Sequence, residues 1–253
     1  EVSKFNVATF CGLANYQKLF HDGEVLRTFG NTLKYVVVTV PVGLFLSILI
    51  AALLNSKIKG TSIYRTLYFL PSVTMAAAVA MVWKWIYNEK MGILNSAIRA
   101  LGGKGIGWLT DPKIALYSVM IVGLWMSVGY NMIILLAGMQ GISKSYYEAA
   151  QIDGATSLQT LFKVKIPMVM PSITICLFLT VSNSFKLFDQ NLALTAGAPS
   201  KKTAMLALDI YNTFYGRNGY EGVGQAKAVL FFIVVAVIAL GQLVLTRRKE
   251  VEQ

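Results

Sequence analysis

Histidine is almost missing from this chain. Among 253 residues only His21 carries an imidazole, so a histidine-based metal site or a Ser–His–Asp triad has nothing to build on. Cysteine is nearly as scarce. Cys11 falls in a polar N-terminal segment and Cys176 inside an apolar run, which argues against a disulfide and makes Cys176 a small core residue. Charged residues make up 14% of the chain, well below the roughly 25% of a soluble domain. No Gly-x-x-x-x-Gly-Lys-Ser/Thr loop is present, and the fragment Gly102-Gly103-Lys104-Gly105 lacks its spacing. Glu148 and Asp153 could suggest an acid–base pair, but helix capping and partner contact account for them better. These absences predict no catalytic residue, no metal and no cofactor on this chain. Nucleic acid is excluded as well: a net charge of +11 comes without a basic stripe interleaved with aromatics.

What fills the space is hydrocarbon. Hydrophobic residues reach 55% and the mean hydropathy is +0.58. A helix needs about 20 apolar residues to cross a bilayer, and five stretches qualify: Leu33–Leu54, Thr66–Tyr87, Ala115–Met139, Met168–Phe185 and Ala228–Leu245. Five such runs in one chain predict an all-α, multi-span membrane protein. Trp83-Lys84-Trp85 at the far end of the second run has the form of an interfacial belt with a snorkelling lysine. The last run stops at Arg247-Arg248-Lys249, which favours a cytoplasmic C-terminus and makes 247–253 a basic tail. Alternation then puts 55–65 and 141–167 inside, and 1–30, 88–112 and 186–223 outside. Residues 1–30 lack the order of a signal peptide, so one further span upstream is expected. Leu13, Tyr16, Leu19 and Phe20 at helical spacing predict an external amphipathic segment over 1–30.

The most informative stretch is a polar island, Ser145 to Pro167, between the third and fourth runs. A connection between spans normally needs only a few residues, so its length predicts a docking element. Ser145 and Glu148 have the spacing of a capping box, and Thr156 and Gln159 repeat it. Gly154 lies between them, where a reversing chain often needs positive φ. Pro167 suits the first turn of the next helix. Two short helices meeting at a glycine are thus expected.

Glu148-Ala149-Ala150, Gly154 and Val164-x-Ile166-Pro167 resemble the EAA loop of permease subunits of ABC importers. Asp153 before the glycine is typical of the carbohydrate branch. The resemblance extends through Gly12–Tyr16, Asn31-Thr32, Arg65–Pro71, Trp83–Tyr87, Leu136–Gln140 and Phe188-Asp189, and is nearest to the permeases of the maltose and glycerol-3-phosphate importers. One departure is Gly197-Ala198-Pro199, where that branch usually has Gly-Gly-Pro. The resemblance implies a type I importer fold, with a permease domain over 31–246 and a cytoplasmic coupling loop at 143–167. It makes Glu148, Ala149, Ala150, Asp153, Gly154 and Pro167 the ATPase-coupling residues. Implied partners are a second permease, two ATPase subunits holding ATP and Mg, an extracytoplasmic solute-binding protein and the lipid bilayer of a bacterial cytoplasmic membrane.

Polar groups within spans are costly and usually face a cavity or a partner. Asn131 lies on the third run with Trp125, Ser127 and Tyr130, while Asn183, Ser184, Lys186, Asp189, Gln190 and Asn191 crowd the end of the fourth. Such a mixture of hydrogen-bonding groups and aromatic faces suits a sugar. By resemblance, Met126, Ser127, Tyr130, Asn183 and Ser184 are the expected contacts to a sugar, oligosaccharide or polyol. Helix–helix adhesion is the competing role for these residues. A proton- or sodium-coupled secondary transporter, an importer of a non-sugar solute and a structural or channel-forming membrane protein are the competing functions.

Overall fold

The computed structural model describes residues 10–21, 23–56 and 58–247. The expectations for residues 1–9, Asp22, Lys57 and the tail beyond Arg247 lie outside them. Among the described residues every regular element is a helix, with no strand. Two compact units emerge. One comprises the residues up to Val38, Met75–Gly123 and Asn183–Val237; the other comprises Thr39–Thr74, Leu124–Ser182 and the residues from Ile238 on.

Three helices are long and apolar enough to cross a bilayer: α2 (Gly23–Leu54), α6 (Ala115–Gln140) and α13 (Glu221–Arg247). Of the other two expected spans, the second is broken and the fourth is preceded by a bend. The stretch read as one span over Thr66–Tyr87 is instead α3 (Thr61–Val73) and α4 (Ala76–Ile86), set at 102°. Thr74 and Met75 both adopt extended ψ, 140° and 133°. The hydroxyls of Ser72 and Thr74 donate to the carbonyls of Phe69 and Leu70 at 2.6 and 2.8 Å, back-bonding onto the last turn of α3. The fourth expected span, Met168–Phe185, is the unbroken α10 (Met170–Phe185), and a bend of 74° lies just before it, where Ser157–Met168 meets it. Pro167 and Pro171, four residues apart, each remove an amide donor from the helical ladder. Pro171, not Pro167, therefore stands in the first turn of α10, while Pro167 lies in the short α9 (Ile166–Met168) before the bend.

In the second unit the core is built from Ala51 and Leu54 of α2, Met132, Leu135 and Met139 of α6, and Ile173 and Cys176 of α10. Polar side chains there serve as adhesive. Asn131 and Thr180 exchange hydrogen bonds of 2.9 and 3.2 Å, and Ser47 donates to the carbonyls of Gly43 and Val128. Gly129 of α6 has a steric role: a Cβ there would lie 1.8 Å from the Tyr68 carbonyl oxygen on α3, so only hydrogen allows this approach.

In the first unit α1 (Ala14–His21) rests on α13 through Leu19, Val223 and Ala226, leaving Leu13 and Phe20 exposed. Residues 23–30, which the sequence placed in the external segment, are the first turns of α2. Asn95 of α5 (Ile93–Ala100) donates to the carbonyls of Glu89 and Ile106 and accepts from the Ile106 amide and the Trp108 indole, which fixes the 88–110 connection. After α11 (Asp189–Leu194), the 195–205 loop is clamped by Asn31, whose amide donates to Lys202 O and Ala204 O at 2.9 Å each, and by Asn191, which reaches Thr203 O at 2.8 Å. The departing residues Gly197-Ala198-Pro199 sit in this loop with a cis bond before the proline. Beyond it, α12 (Leu206–Gly216) is tied to α13 by a buried ion pair, Lys227 to Asp209 at 2.8 Å, with Thr213 accepting from the same ammonium at 2.9 Å.

Gly129→Ala is expected to lower the melting temperature of the solubilised protein, at a cost of about 1–3 kcal/mol for the overpacked contact. Gly241→Ala on α13, where an added Cβ meets nothing within 4 Å, should leave it unchanged. Equal melting of the two variants would remove the α3–α6 contact from the account.

Candidate functional site

The polar island folds into a knuckle. Helix α7 (Lys144–Ile152) ends on Asp153 as its cap, followed by Gly154 at φ +73°. The Ala155 amide bonds Ala150 O at 2.9 Å and the Gly154 amide bonds Gln151 O at 3.0 Å, which together make a Schellman motif. Two residues later the chain caps the next helix. The Thr156 amide donates to Gln159 Oε1 at 2.8 Å, and the Gln159 amide donates to Thr156 Oγ1 at 3.3 Å, a complete capping box for α8 (Ser157–Thr160). A π-helical turn, Leu161–Lys165, joins α8 to α9.

The first capping box expected from sequence is not there. The cap of α7 is Ser143 and makes no side-chain cap bond. Lys144 already opens the helix, so Ser145 lies inside its first turn, where its hydroxyl meets that of Ser143 at 2.9 Å. Glu148 is then left on the exposed side, as are Ala149, Asp153 and Gly154, whereas Ala150 is buried. The residues expected to couple thus separate into an outward set and an anchor. Anchoring also comes from Leu161, which is buried, and from Tyr147. Its hydroxyl donates to Met139 O at 3.1 Å, and Lys165 Nζ lies 5.4 Å from its ring centre. Burial raises the Tyr147 hydroxyl above its ordinary pKa, so it remains a donor at neutral pH.

Around this anchored frame the knuckle exposes large apolar side chains. Ile152 is 85% exposed, Leu158 67%, Phe162 58% and Tyr146 52%. They stand beside Glu148, Asp153 and Lys163 on a stretch too polar to lie in hydrocarbon. Apolar groups clustered within a polar surface mark a protein contact.

The midspan residues divide differently. Met126 and Ser127 of α6 are half-buried and Tyr130 is 42% exposed, with Ser127 and Tyr130 at i,i+3. At the end of α10, Asn183 is exposed and Ser184 buried. Asn131, Gln190 and Asn191, by contrast, are buried and committed to internal hydrogen bonds, Gln190 to Val119 O at 3.0 Å. Lys186 and Asp189 are exposed.

The family of inner membrane components of binding-protein-dependent transport systems matches residues 20–251. This chain belongs to it. The permease is 37% identical to the probable starch degradation products transport permease AmyD of Thermoanaerobacterium thermosulfurigenes, over 98% of its own length and 84% of that relative. It is 34% identical to the multiple sugar-binding transport permease MsmF of Streptococcus mutans, over 96% and 83%. Its fold matches a chain of a bacterial ABC transporter that imports the acidic polysaccharide alginate, with a TM-score of 0.86, 23% identity and coverage of 94% and 84%. A second structure of that system, holding an alginate pentasaccharide-bound periplasmic protein, matches equally well. The permease is therefore a membrane-integral subunit of an ABC importer, with the type I importer fold.

Two features of the permease escaped the sequence. The buried Lys227–Asp209 pair falls at the edge of an apolar run, where a lysine resembles a snorkelling end residue. The exposed Ile152, Leu158 and Phe162 look in sequence like ordinary core-facing positions.

Gly154→Val should abolish co-purification of the ATPase subunits while the permease still inserts. An added Cβ meets nothing within 4 Å, so the damage is backbone strain, since a β-branched residue resists positive φ. Gly154→Asn should retain binding, because Asn tolerates that conformation. Normal ATPase retention by the Val variant would contradict the knuckle as the docking element.

Proposed function

We propose that this permease pairs with a second permease to form the path for a sugar, oligosaccharide or polyol delivered by an extracytoplasmic binding protein. Two separate ATPase subunits, carrying ATP and Mg, dock on the knuckle from the cytoplasm, with the C-terminus on the same side of a bacterial cytoplasmic membrane. The observation that carries this reading is the self-capped knuckle with its exposed Ile152, Leu158 and Phe162. A secondary transporter has no use for such a surface. The sugar rests on the relatives: the two named above and the lactose permease LacF of Rhizobium radiobacter, 32% identical over 95% of this chain and 82% of that one, are all sugar permeases by name.

Force from ATP-driven closure enters at Gly154 and leaves through Tyr147, which is bonded to Met139 O on α6, opening the path alternately to each side. On the solute, Tyr130 offers an aromatic face and a hydroxyl, Met126 a pliable apolar contact, and Ser127, Asn183 and Ser184 donors and acceptors. Ser127 Oγ already donates to Leu124 O at 3.2 Å, so towards a sugar it serves as an acceptor.

Two measurements test this. Uptake by the reconstituted complex should stop without ATP or without the binding protein, even under a full ion gradient; gradient-driven uptake would overturn the assignment. Tyr130→Ala should reduce sugar uptake by about one to two decades, the cost of a lost buried hydrogen bond, with assembly and basal ATP hydrolysis retained. Dissociation of the complex in that variant would make Tyr130 an interface residue instead.

A further inference from the structure

Where α2 emerges from its apolar stretch, a groove of about 1040 Å³ runs between its face from Leu26 to Val38 and the start of α6. Its walls change character along α2. Val37 and Val38 are apolar and exposed, and towards the N-terminus of α2 the groove is lined by Lys34 and Arg27, with Lys113 and Lys202 contributed from other segments. No carboxylate is among the described residues that line it. Glu24 approaches Arg27 at 3.8 Å, but the same carboxylate is hydrogen-bonded to both Lys201 and Arg217, so one negative charge is shared by three cations. Asp111 accepts from the Lys113 amide at 2.8 Å and lies outside the lining. Arg27 Nε is buried without a hydrogen-bond partner.

Lys34, Lys113 and Lys202 are exposed and Arg27 half-buried with its Nε unpartnered, so the groove wall carries a local excess of positive charge that attracts an anion. The anion must suit both walls, with oxygens for the guanidinium and ammonium groups and an apolar body for the valines. Basic pockets between spans take anionic lipid head groups by this charge match, and the topology read from the sequence makes the lipid here one of the outer leaflet. We propose that this groove binds a negatively charged phospholipid, its phosphate among Arg27, Lys34, Lys113 and Lys202 and an acyl chain along Val37 and Val38. A free phosphate satisfies only the first wall. An acidic protein segment satisfies the cations but wastes the apolar floor.

The test uses the whole importer complex in phosphatidylcholine vesicles with or without phosphatidylglycerol. Native mass spectrometry of the extracted wild-type complex should find phosphatidylglycerol retained in preference to phosphatidylcholine, and its melting temperature should rise with phosphatidylglycerol. The triple variant Lys34→Gln, Lys113→Gln, Lys202→Gln should retain the lipid at least about tenfold less well and lose that rise, with both permeases still associated. Lys113→Gln alone, just before α6 begins, should show a smaller loss in the same direction. Equal retention of the two lipids by the wild type overturns the proposal. So does an equal rise in melting temperature with inorganic phosphate alone, which would make this a free-anion site. Loss of the second permease from the triple variant overturns it in favour of a protein interface. ATP-driven sugar uptake in phosphatidylcholine alone is a separate readout, and its failure would count against the transport reading and not against the lipid site.

Discussion

Between Ala150 and Gln159 the chain closes its own backbone hydrogen bonds, and the positive φ of Gly154 is what lets it do so. A helix end leaves orphan carbonyls and a helix start leaves orphan amides. Here the Schellman bonds of Gly154 and Ala155 satisfy the first set, and the Thr156–Gln159 box satisfies part of the second. With its polar backbone settled internally, the knuckle can present apolar side chains to another protein while Tyr147 holds it to α6 and Ala150 and Leu161 are buried. Coupling needs both properties together. A floppy loop would absorb the motion of an ATPase, and a fully buried one would have nothing to offer it.

The same requirement explains where the spans break. Hydrocarbon supplies no hydrogen-bond partners, so non-helical backbone survives at that depth only where side chains or neighbouring helices satisfy it. The α3–α4 break uses the hydroxyls of Ser72 and Thr74. The bend before α10 places two prolines where missing donors coincide. Buried charge obeys the rule as well: Lys227 is 1% exposed at its side chain and has Asp209 and Thr213 as partners. Removing one partner of such a pair strands the other, which typically costs about 3–5 kcal/mol.

Much of this was legible in the sequence because the signals were local. Apolar runs reported α2, α6 and α13, and the glycine with its flanking Thr156–Gln159 spacing reported the knuckle. Ser145–Glu148 had the right spacing too, yet the helix starts at Lys144, because a spacing rule fixes a pattern and not its register. Breaks within apolar runs were invisible, since Thr74 and Met75 are hydrophobic enough to continue a span and differ from their neighbours only in ψ. Asn131, Gln190 and Asn191 looked as suited to a solute as Tyr130 does. What distinguishes them is a partner 45 or more positions away or across a loop, such as Thr180 for Asn131 and Thr203 for Asn191, and no periodicity reports that.

The central claim is that the knuckle lies in the cytoplasm and is covered by an ATPase subunit. A single cysteine at Ile152, 85% exposed, in a background with Cys11→Ser, tests it most directly. Cys176 is buried and should remain silent. A membrane-impermeant thiol reagent should leave residue 152 unlabelled in intact cells, label it in inverted vesicles stripped of ATPase, and lose that labelling once the ATPase subunits are added back. Labelling from outside the cell, or labelling that the ATPase does not suppress, would contradict the account.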